Sequence, residues 1–99
     1  MASSEPAWHP AAIADAEEAR NWYAERSAFA ARGFLLALDQ GIEAILEAPE
    51  RWPNHRYGCR RYVLPNQYPF TLVYRLTTGI EIVAVAHQKR RPGYWKRRL

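Results

Sequence analysis

Two periodicities divide the chain near its middle. Up to about residue 47, apolar residues recur every three or four positions, which is the spacing of one face of an α-helix. From Cys59 onward, apolar and polar residues alternate, which is the spacing of a β-strand with one buried face. Helices followed by strands are typical of an α+β domain in which the helices cover one face of the sheet.

The first half of the chain predicts two helices joined by a short break. The first extends over Pro10–Arg26, because proline suits the first helical turn, where its missing N–H would be unpaired. Its stripe positions are Ile13, Ala16, Arg20 and Tyr23, with Ala19 and Trp22 beside them. Ser27 can cap the second helix, Ala28–Glu47, and Pro49 stops it. The apolar face of the second helix consists of Phe34, Leu35, Leu38, Ile42, Ile45 and Leu46. So short a break predicts an antiparallel helical hairpin.

The second half predicts three antiparallel strands, at Arg60–Leu64, Tyr68–Leu76 and Ile80–His87. In the second strand, one face carries Phe70, Leu72, Tyr74 and Leu76. In the third strand, strict alternation gives one face with Ile82, Ala84 and Ala86 and another with Glu81, Val83, Val85 and His87. The third strand is apolar on both faces, so it is predicted to lie inside the sheet. With a short edge strand at Ala7–His9, the predicted order is β-α-α-β-β-β, and the second face of the sheet is expected to be partly open.

Several residues outside this pattern receive structural interpretations. Trp52, within the rigid segment Pro49–Pro53, is predicted to dock on the helices. Cys59 is predicted to be a small, half-buried residue. His9 and His55 have no partner at metal-ligand spacing and are predicted to lie on the surface. The carboxylates of the helices are predicted to form a solvated face.

Composition sets limits on the class of protein. The 99 residues, 48% of them apolar, fit a single globular domain over residues 1–99. One cysteine excludes an intrachain disulfide and a multi-cysteine zinc site, and no metal or other cofactor is expected. The chain has no apolar run near the ~20 residues needed to span a bilayer. Its first ten residues lack the pattern of a secretory signal. A cytoplasmic protein without membrane association is therefore expected.

Charge is distributed unevenly along the chain. Residues 1–50 contain three arginines and nine carboxylates, a balance of −6, whereas residues 51–99 contain eleven Lys/Arg and one carboxylate, a balance of +10. Six of these cations lie between Lys89 and Arg98. Such a patch is either a solvated surface or the binding surface for an anionic partner, which would be nucleic acid or an acidic protein segment.

The densest group of chemically competent residues is the segment from His87 to Trp95. His87 can act as a general acid or base near neutral pH, and Arg90 and Arg91 can hold a phosphate. Tyr94 can donate a proton or stack on a base, and Trp95 can stack. A metal-free ribonuclease needs this combination of a base, phosphate-binding cations and an acid. The alternative is that Tyr94 and Trp95 cover the edge of the core while His87 is a hydrogen-bonded strand end.

Three further cations extend this candidate binding surface. Arg61 and Arg75 lie on neighbouring predicted strands, and Lys89 lies beside the catalytic candidates. Arg75 is placed on the face opposite the core, where it can join the phosphate-binding group. A salt bridge from Arg75 to Glu81 across the hairpin is an equally good interpretation.

The sequence resembles the ParE/RelE toxin superfamily of bacterial type II toxin–antitoxin, or plasmid stabilisation, modules. The resemblance covers about residues 10–95 and lies in the order and spacing of short motifs. These are Trp22-Tyr23, Phe34 with Leu38, Pro49-Glu50-Arg51-Trp52-Pro53, Arg61-Tyr62, Tyr68-Pro69-Phe70, Val73-Tyr74-Arg75, Val83-Ala84-Val85-Ala86-His87 and Arg91-Pro92-Gly93-Tyr94-Trp95. The fold of that superfamily is β-α-α-β-β-β, in agreement with the pattern above.

The resemblance implies a growth-inhibiting toxin that a cognate antitoxin neutralises in a hetero-oligomer. RelE-like members cleave mRNA on the ribosome, and His87, Arg90, Arg91 and Tyr94 stand at positions that suit this activity. ParE-like members inhibit DNA gyrase without that catalytic set. Thr71 or its neighbours stand where RelE-like enzymes often carry a strand arginine, and the overall pattern is closer to the ParE branch. DNA gyrase is therefore the expected target, with ribosome-bound mRNA as the alternative. A third hypothesis, based on the basic, aromatic tail, is a non-toxic nucleic-acid-binding module.

Overall fold

The structure, a computed structural model, describes residues 5–99. Its helices are α1 (Pro10–Ala24) and α2 (Ala28–Glu47). Its strands are β1 (Ala7–Trp8), β2 (Arg60–Val63), β3 (Phe70–Leu76) and β4 (Ile80–His87). A 3₁₀ turn, Arg56–Gly58, precedes β2, and a 3₁₀ segment, Tyr94–Arg98, follows β4. These bounds confirm the predicted elements to within two residues at each end. The sequence also predicts a loose start over residues 1–9, apart from the short strand, and positions 1–4 lie outside the described residues.

The four strands form one mixed sheet in the order β1-β4-β3-β2. β1 runs parallel to β4, and the other two pairs are antiparallel. The α+β architecture and the internal position of β4 are therefore confirmed. The helical hairpin covers one face of the sheet and encloses the main core, whose fully buried members include Phe34, Ile45, Leu72, Tyr74 and Ile82.

A polar side chain caps the N-terminus of each helix. Ser27 Oγ accepts a hydrogen bond from the Ala30 N–H at 2.9 Å, as predicted for the cap of α2. His9 Nδ1 accepts from the Ala11 N–H at 3.0 Å and caps α1. The prediction that His9 is an isolated surface residue is therefore wrong, because its imidazole satisfies a backbone donor that the first helical turn leaves unpaired.

The buried face of α1 differs from the predicted stripe. Ala12 and Ala19 are buried, whereas Ile13 is 45% exposed and Arg20 is exposed. The face of α1 that packs against the sheet also contains Asp15. Because this residue is charged, the apolar pattern does not identify it as part of the buried face. On α2 the predicted stripe is buried at its centre, but Leu35 is 39% exposed.

A β-bulge changes which residues of β4 share a face. Val73 pairs with Ala84 and Tyr74 pairs with Ile82, so Val83 is an extra residue on β4. The predicted alternation is therefore wrong beyond Ile82. Ile82 and Val85 belong to the helix-side core, while Val83, Ala84 and Ala86 belong to a second cluster on the opposite face.

The second face of the sheet is covered at its centre rather than open. Trp95, which is 1% exposed, packs there with Cys59, Val73, Val83 and Ala84. Cys59 is buried more deeply, at 1% exposure, than the half-buried position that the sequence predicts. The carboxyl-terminal segment thus folds back over the sheet and determines where its basic side chains lie.

Close packing joins α2 to the sheet. A Cβ on Gly41 would lie 2.9 Å from Leu72 Cδ1 and 3.1 Å from Tyr62 Cε1, which explains a glycine in the middle of this helix despite its cost of about 1 kcal/mol relative to alanine. Trp52 docks beside this contact: its Nε1 donates to the Ala44 carbonyl at 3.2 Å. The predicted docking of Trp52 on the helices is confirmed.

Candidate functional site

Two concave sites share one wall, which is formed by His87, Arg90 and Tyr94. The first, which we call the aromatic cleft, has a volume of about 500 Å³ and lies between α1 and the ends of β3 and β4. Its aromatic lining is Trp22, Tyr23, Phe70 and Tyr94. The second, which we call the basic pocket, has a volume of about 280 Å³ and lies on the opposite face of the sheet. Its ionisable lining is His55, Arg61, His87, Arg90, Arg91 and Tyr94.

Asp15 holds the carboxyl-terminal segment against the sheet. Its carboxylate accepts two hydrogen bonds from the Arg98 guanidinium, one at 2.7 Å on Oδ2 and one at 3.2 Å on Oδ1. Oδ2 also accepts from Tyr94 Oη at 3.3 Å. The Asp15 and Arg98 side chains are only 12% and 16% exposed. A bidentate, largely buried pair of this kind is strong and geometrically specific.

The Asp15–Arg98 pair also completes the edge of β4. β1 pairs only with Glu81 and Ile82, and within residues 5–99 no strand pairs with that edge beyond this point. Asp15 Oδ2 accepts from the Val85 N–H at 3.1 Å, and Arg98 Nη1 donates to the Val83 carbonyl at 3.0 Å. One ion pair therefore satisfies both a donor and an acceptor of a strand edge that would otherwise need another partner.

Tyr94 is directed toward Asp15. Its hydroxyl donates to that carboxylate, and the Arg90 guanidinium lies 3.9 Å from the centre of its ring. Burial, and after it the negative charge of Asp15, raises the pKa of Tyr94 to about 12. In this arrangement the tyrosine hydroxyl is a hydrogen-bond donor within the fold and loses its proton with difficulty.

Alkaline pH is expected to destabilise the protein partly through Tyr94. The folded state holds the phenolic proton more tightly than the unfolded state, whose pKa is near 10. The resulting stabilisation is fully present below pH 10 and is lost as the pH rises toward about 12. The melting temperature of the wild-type protein should therefore fall more steeply between pH 10 and 12 than that of Tyr94→Phe, as followed by circular dichroism. Both proteins retain Tyr23 and Tyr74, whose pKa values are also raised by burial, so parallel curves would contradict the assignment to Tyr94.

His87 occupies a structured strand end. Its Nδ1 accepts a hydrogen bond from the Lys89 N–H at 3.0 Å, and its ring meets Phe70 edge to face at 5.0 Å between centroids. This agrees with the structural alternative that the sequence left open. His87 nevertheless lines both sites, so its predicted chemical role stays a prediction.

Only some of the predicted binding residues lie at the basic pocket. Arg61 lines the basic pocket with Arg90 and Arg91, and Lys89 is exposed beside it. Arg75 Nε is 2.6 Å from Glu81 Oε1, so the salt bridge that the sequence allowed is formed. Trp95 is buried beneath the pocket, where its ring is unavailable for stacking on a ligand and instead covers the core.

Sequence reasoning missed Asp15, Arg98 and His55. Asp15 belongs to a helix rich in carboxylates, and its spacing gives no sign that it faces the sheet rather than solvent. His55 was predicted to lie on the surface, but it lines the basic pocket and its ring lies 5.8 Å from that of Trp95. Burial, and then the charges of Arg61 and Arg56, lower the pKa of His55 below its usual value, which favours the neutral imidazole. Its partner Trp95 is forty residues away in the sequence, so no local pattern predicts this contact.

Two other classes of site are absent from residues 5–99. In this part of the chain, no three side chains of His, Cys, Asp or Glu come together in a way that would hold a metal ion. Neither helix there combines the length and the apolar character that are required to cross a bilayer.

The fold and the two sites define a small α+β domain in which a helical hairpin covers one face of a mixed sheet and a basic pocket lies on the other. Residues 7–92 match the family described as ParE toxin of type II toxin-antitoxin system, parDE. Since the match covers most of the chain, the protein belongs to this family, and the resemblance seen in the sequence is confirmed. No curated protein matches the chain. Membership of a type II family implies an antitoxin as a partner.

Proposed function

We propose that this protein is a toxin that arrests bacterial growth by binding DNA gyrase in the cytoplasm, and that its antitoxin neutralises it in a hetero-oligomer. Membership of the ParE family supports this target. The observation that carries the proposal is the orientation of Tyr94, whose hydroxyl donates to Asp15 within the fold. A ribonuclease that used this tyrosine as an acid would need the hydroxyl at the leaving oxygen of its substrate. Because this hydroxyl is engaged by Asp15, the arrangement favours inhibition by binding over catalysis by Tyr94.

The aromatic cleft is the site that we propose for the antitoxin. Its volume is about 500 Å³, and its aromatic walls suit a bulky apolar side chain. Arg90 and His87 at the wall of this cleft would pair with acidic residues beside that side chain. An acidic antitoxin segment with one large apolar residue fits this combination.

Measurements on induced cultures and on purified gyrase test the proposal. Expression of the chain alone should arrest growth, and co-expression of the neighbouring antitoxin gene should relieve the arrest. Gyrase-linked DNA breaks should rise, while ribosome-bound mRNA should stay intact. In a purified system the protein should inhibit supercoiling by gyrase. Normal growth at verified soluble expression would contradict the assignment as a toxin, and cut mRNA with unaffected gyrase would contradict the target.

A ribosome-dependent mRNA endonuclease is the second candidate, because the basic pocket brings His87, Arg90 and Arg91 together. If this activity exists, His87→Ala should lower the cleavage rate about 10²–10⁴-fold, since that is the usual effect of removing a positioned acid or base. Arg91→Ala and Tyr94→Phe should lower the cleavage rate by a similar factor. Under the gyrase proposal, mRNA stays whole in the wild type and in every variant. Full toxicity of a folded His87→Ala/Tyr94→Phe protein would remove the nuclease candidate.

A further inference from the structure

The basic pocket concentrates positive charge that the described fold leaves uncompensated. Within residues 5–99, the ion pairs join Arg26 to Glu25, Arg75 to Glu81 and Arg98 to Asp15. The three arginines that line the pocket, Arg61, Arg90 and Arg91, take part in none of these pairs, and no carboxylate lines the pocket. Three cations that converge on one small cavity repel one another, and an anion in the cavity would relieve this repulsion.

The pocket is supported by ordered structure. Arg61 lies on β2, and its backbone N–H donates to the Pro53 carbonyl at 3.1 Å. Arg90 ends the turn that begins at His87, where its N–H donates to the His87 carbonyl at 2.9 Å, and its guanidinium rests on the Tyr94 ring. Gly93 has a φ of 75°, a conformation that favours glycine and lets the tail turn back toward the sheet. Packing of Trp95 beneath the pocket keeps these parts together.

Guanidinium groups recognise phosphate through paired N–H donors, which match two oxygens of the phosphate at once. The aromatic rings around the pocket are already engaged: Trp95 is buried, Arg90 covers Tyr94, and Tyr57 packs edge-on against Trp95 with the Lys96 ammonium 5.0 Å from its centroid. Unstacked bases of a single strand need free rings, whereas a duplex presents its phosphates and keeps its bases inside. This combination favours duplex nucleic acid.

The distribution of charge also orients the molecule. The exposed carboxylates of the helical hairpin are Glu17, Glu18, Glu25, Asp39, Glu43 and Glu47. They lie on the layer opposite the basic pocket, so a polyanion is repelled from the hairpin and attracted to the other face of the sheet.

We propose that the three arginines of the basic pocket bind neighbouring backbone phosphates of duplex DNA, so that the toxin holds the DNA that its target enzyme carries as well as the enzyme itself. DNA binding by the free toxin follows from the pocket alone. The role of this contact on gyrase rests on the function proposed above.

Binding of the full chain to a fluorescently labelled 20-base-pair DNA duplex, measured by anisotropy over a series of salt concentrations, tests the first step. If each of the three arginines neutralises one phosphate, the slope of log K against log salt is about −2.7, and affinity falls about 40-fold between 50 and 200 mM salt. Arg61→Gln and Arg91→Gln should each make the slope shallower by about 1. Chemical-shift changes on titration with DNA should include the ring protons of His55.

Arg20→Gln and Arg32→Gln are matched controls, since each removes one exposed arginine from the helical hairpin. Both should leave the slope unchanged. The proposal is overturned if these controls weaken binding as much as Arg61→Gln, because binding would then follow net charge alone. It is also overturned if no salt-dependent DNA binding occurs, or if single-stranded RNA or an acidic peptide of equal charge binds more tightly than the duplex.

Gyrase assays separate failure of this inference from failure of the proposed function. The Arg61→Gln/Arg91→Gln protein should bind gyrase in the absence of DNA as the wild type does, but should lose the gain in affinity that DNA gives the wild type. If the double variant keeps that gain, the DNA contact is absent although gyrase is the target. If the wild type binds duplex DNA through the pocket and never binds gyrase, the proposed function fails and the DNA site stands.

Discussion

Replacement of Asp15 with asparagine is expected to lower the free energy of unfolding by about 3 kcal/mol, as measured by urea denaturation. The substitution leaves the largely buried Arg98 guanidinium without its counter-charge. It also replaces the carboxylate that accepts from the Val85 N–H with a neutral amide. Tyr94 loses its charged acceptor at the same time. Because several hydrogen bonds converge on a single carboxylate, one substitution should loosen the tail that carries the wall of both sites.

Asp39→Asn is the matched control for this variant, since Asp39 is exposed on α2. It should change stability by no more than about 0.5 kcal/mol. Arg98→Gln and the Asp15→Asn/Arg98→Gln double variant complete a cycle that should give a coupling energy of about 1–3 kcal/mol. A stability for Asp15→Asn equal to that of Asp39→Asn would show that the pair does not hold the tail.

Trp95→Ala is expected to cost a similar amount, about 3–4 kcal/mol. Trp95 is 1% exposed and fills the space over Val73 of β3 and over Val83 and Ala84, which the bulge in β4 brings to the same face. Removal of the indole uncovers these side chains and takes away the support beneath the basic pocket. Thermal and urea unfolding would measure the loss.

Trp22→Ala provides the comparison for Trp95→Ala, because it removes the same side chain from a site that is 51% exposed. Trp22 contacts Tyr23 edge to face, so its loss should cost about 1 kcal/mol at most. Equal destabilisation by the two substitutions would contradict the burial of Trp95. Since Trp22 lines the aromatic cleft, Trp22→Ala should also weaken binding of the antitoxin, which isothermal calorimetry would detect.

The helices and strands can be predicted from the sequence because each depends on residues that are close together in the chain. Ser27 caps α2 by a bond to the N–H three residues ahead, and Pro49 ends that helix within its own backbone. The alternation of β3 likewise reflects contacts with a strand that follows after one short turn. The resemblance to toxins agreed with this order of elements and added a family, which the match over residues 7–92 confirms.

The candidate site is harder to predict from the sequence, because its residues are far apart in the chain and meet only in the folded structure. The segment from His87 to Trp95 is rightly singled out by its residue types, and Arg61, Arg90 and Arg91 do meet around one pocket. The same residue types do not tell that Trp95 is buried or that the Tyr94 hydroxyl is engaged by Asp15. Both facts arise from the bulge at Val83 and from the short β1, which leaves an edge for the tail to complete.

The sequence by itself determined the helical hairpin, the following strands and the excess of positive charge in the second half, because periodicity, caps and composition act over a few residues. Only the tertiary structure decided that Asp15 pairs with Arg98 across 83 positions, that Trp95 covers the sheet and that three arginines share one pocket. The physical reason is that a backbone group or a charge is satisfied by whatever lies near it in space. At the edge of β4, this is a carboxylate from the first helix and a guanidinium from the end of the chain.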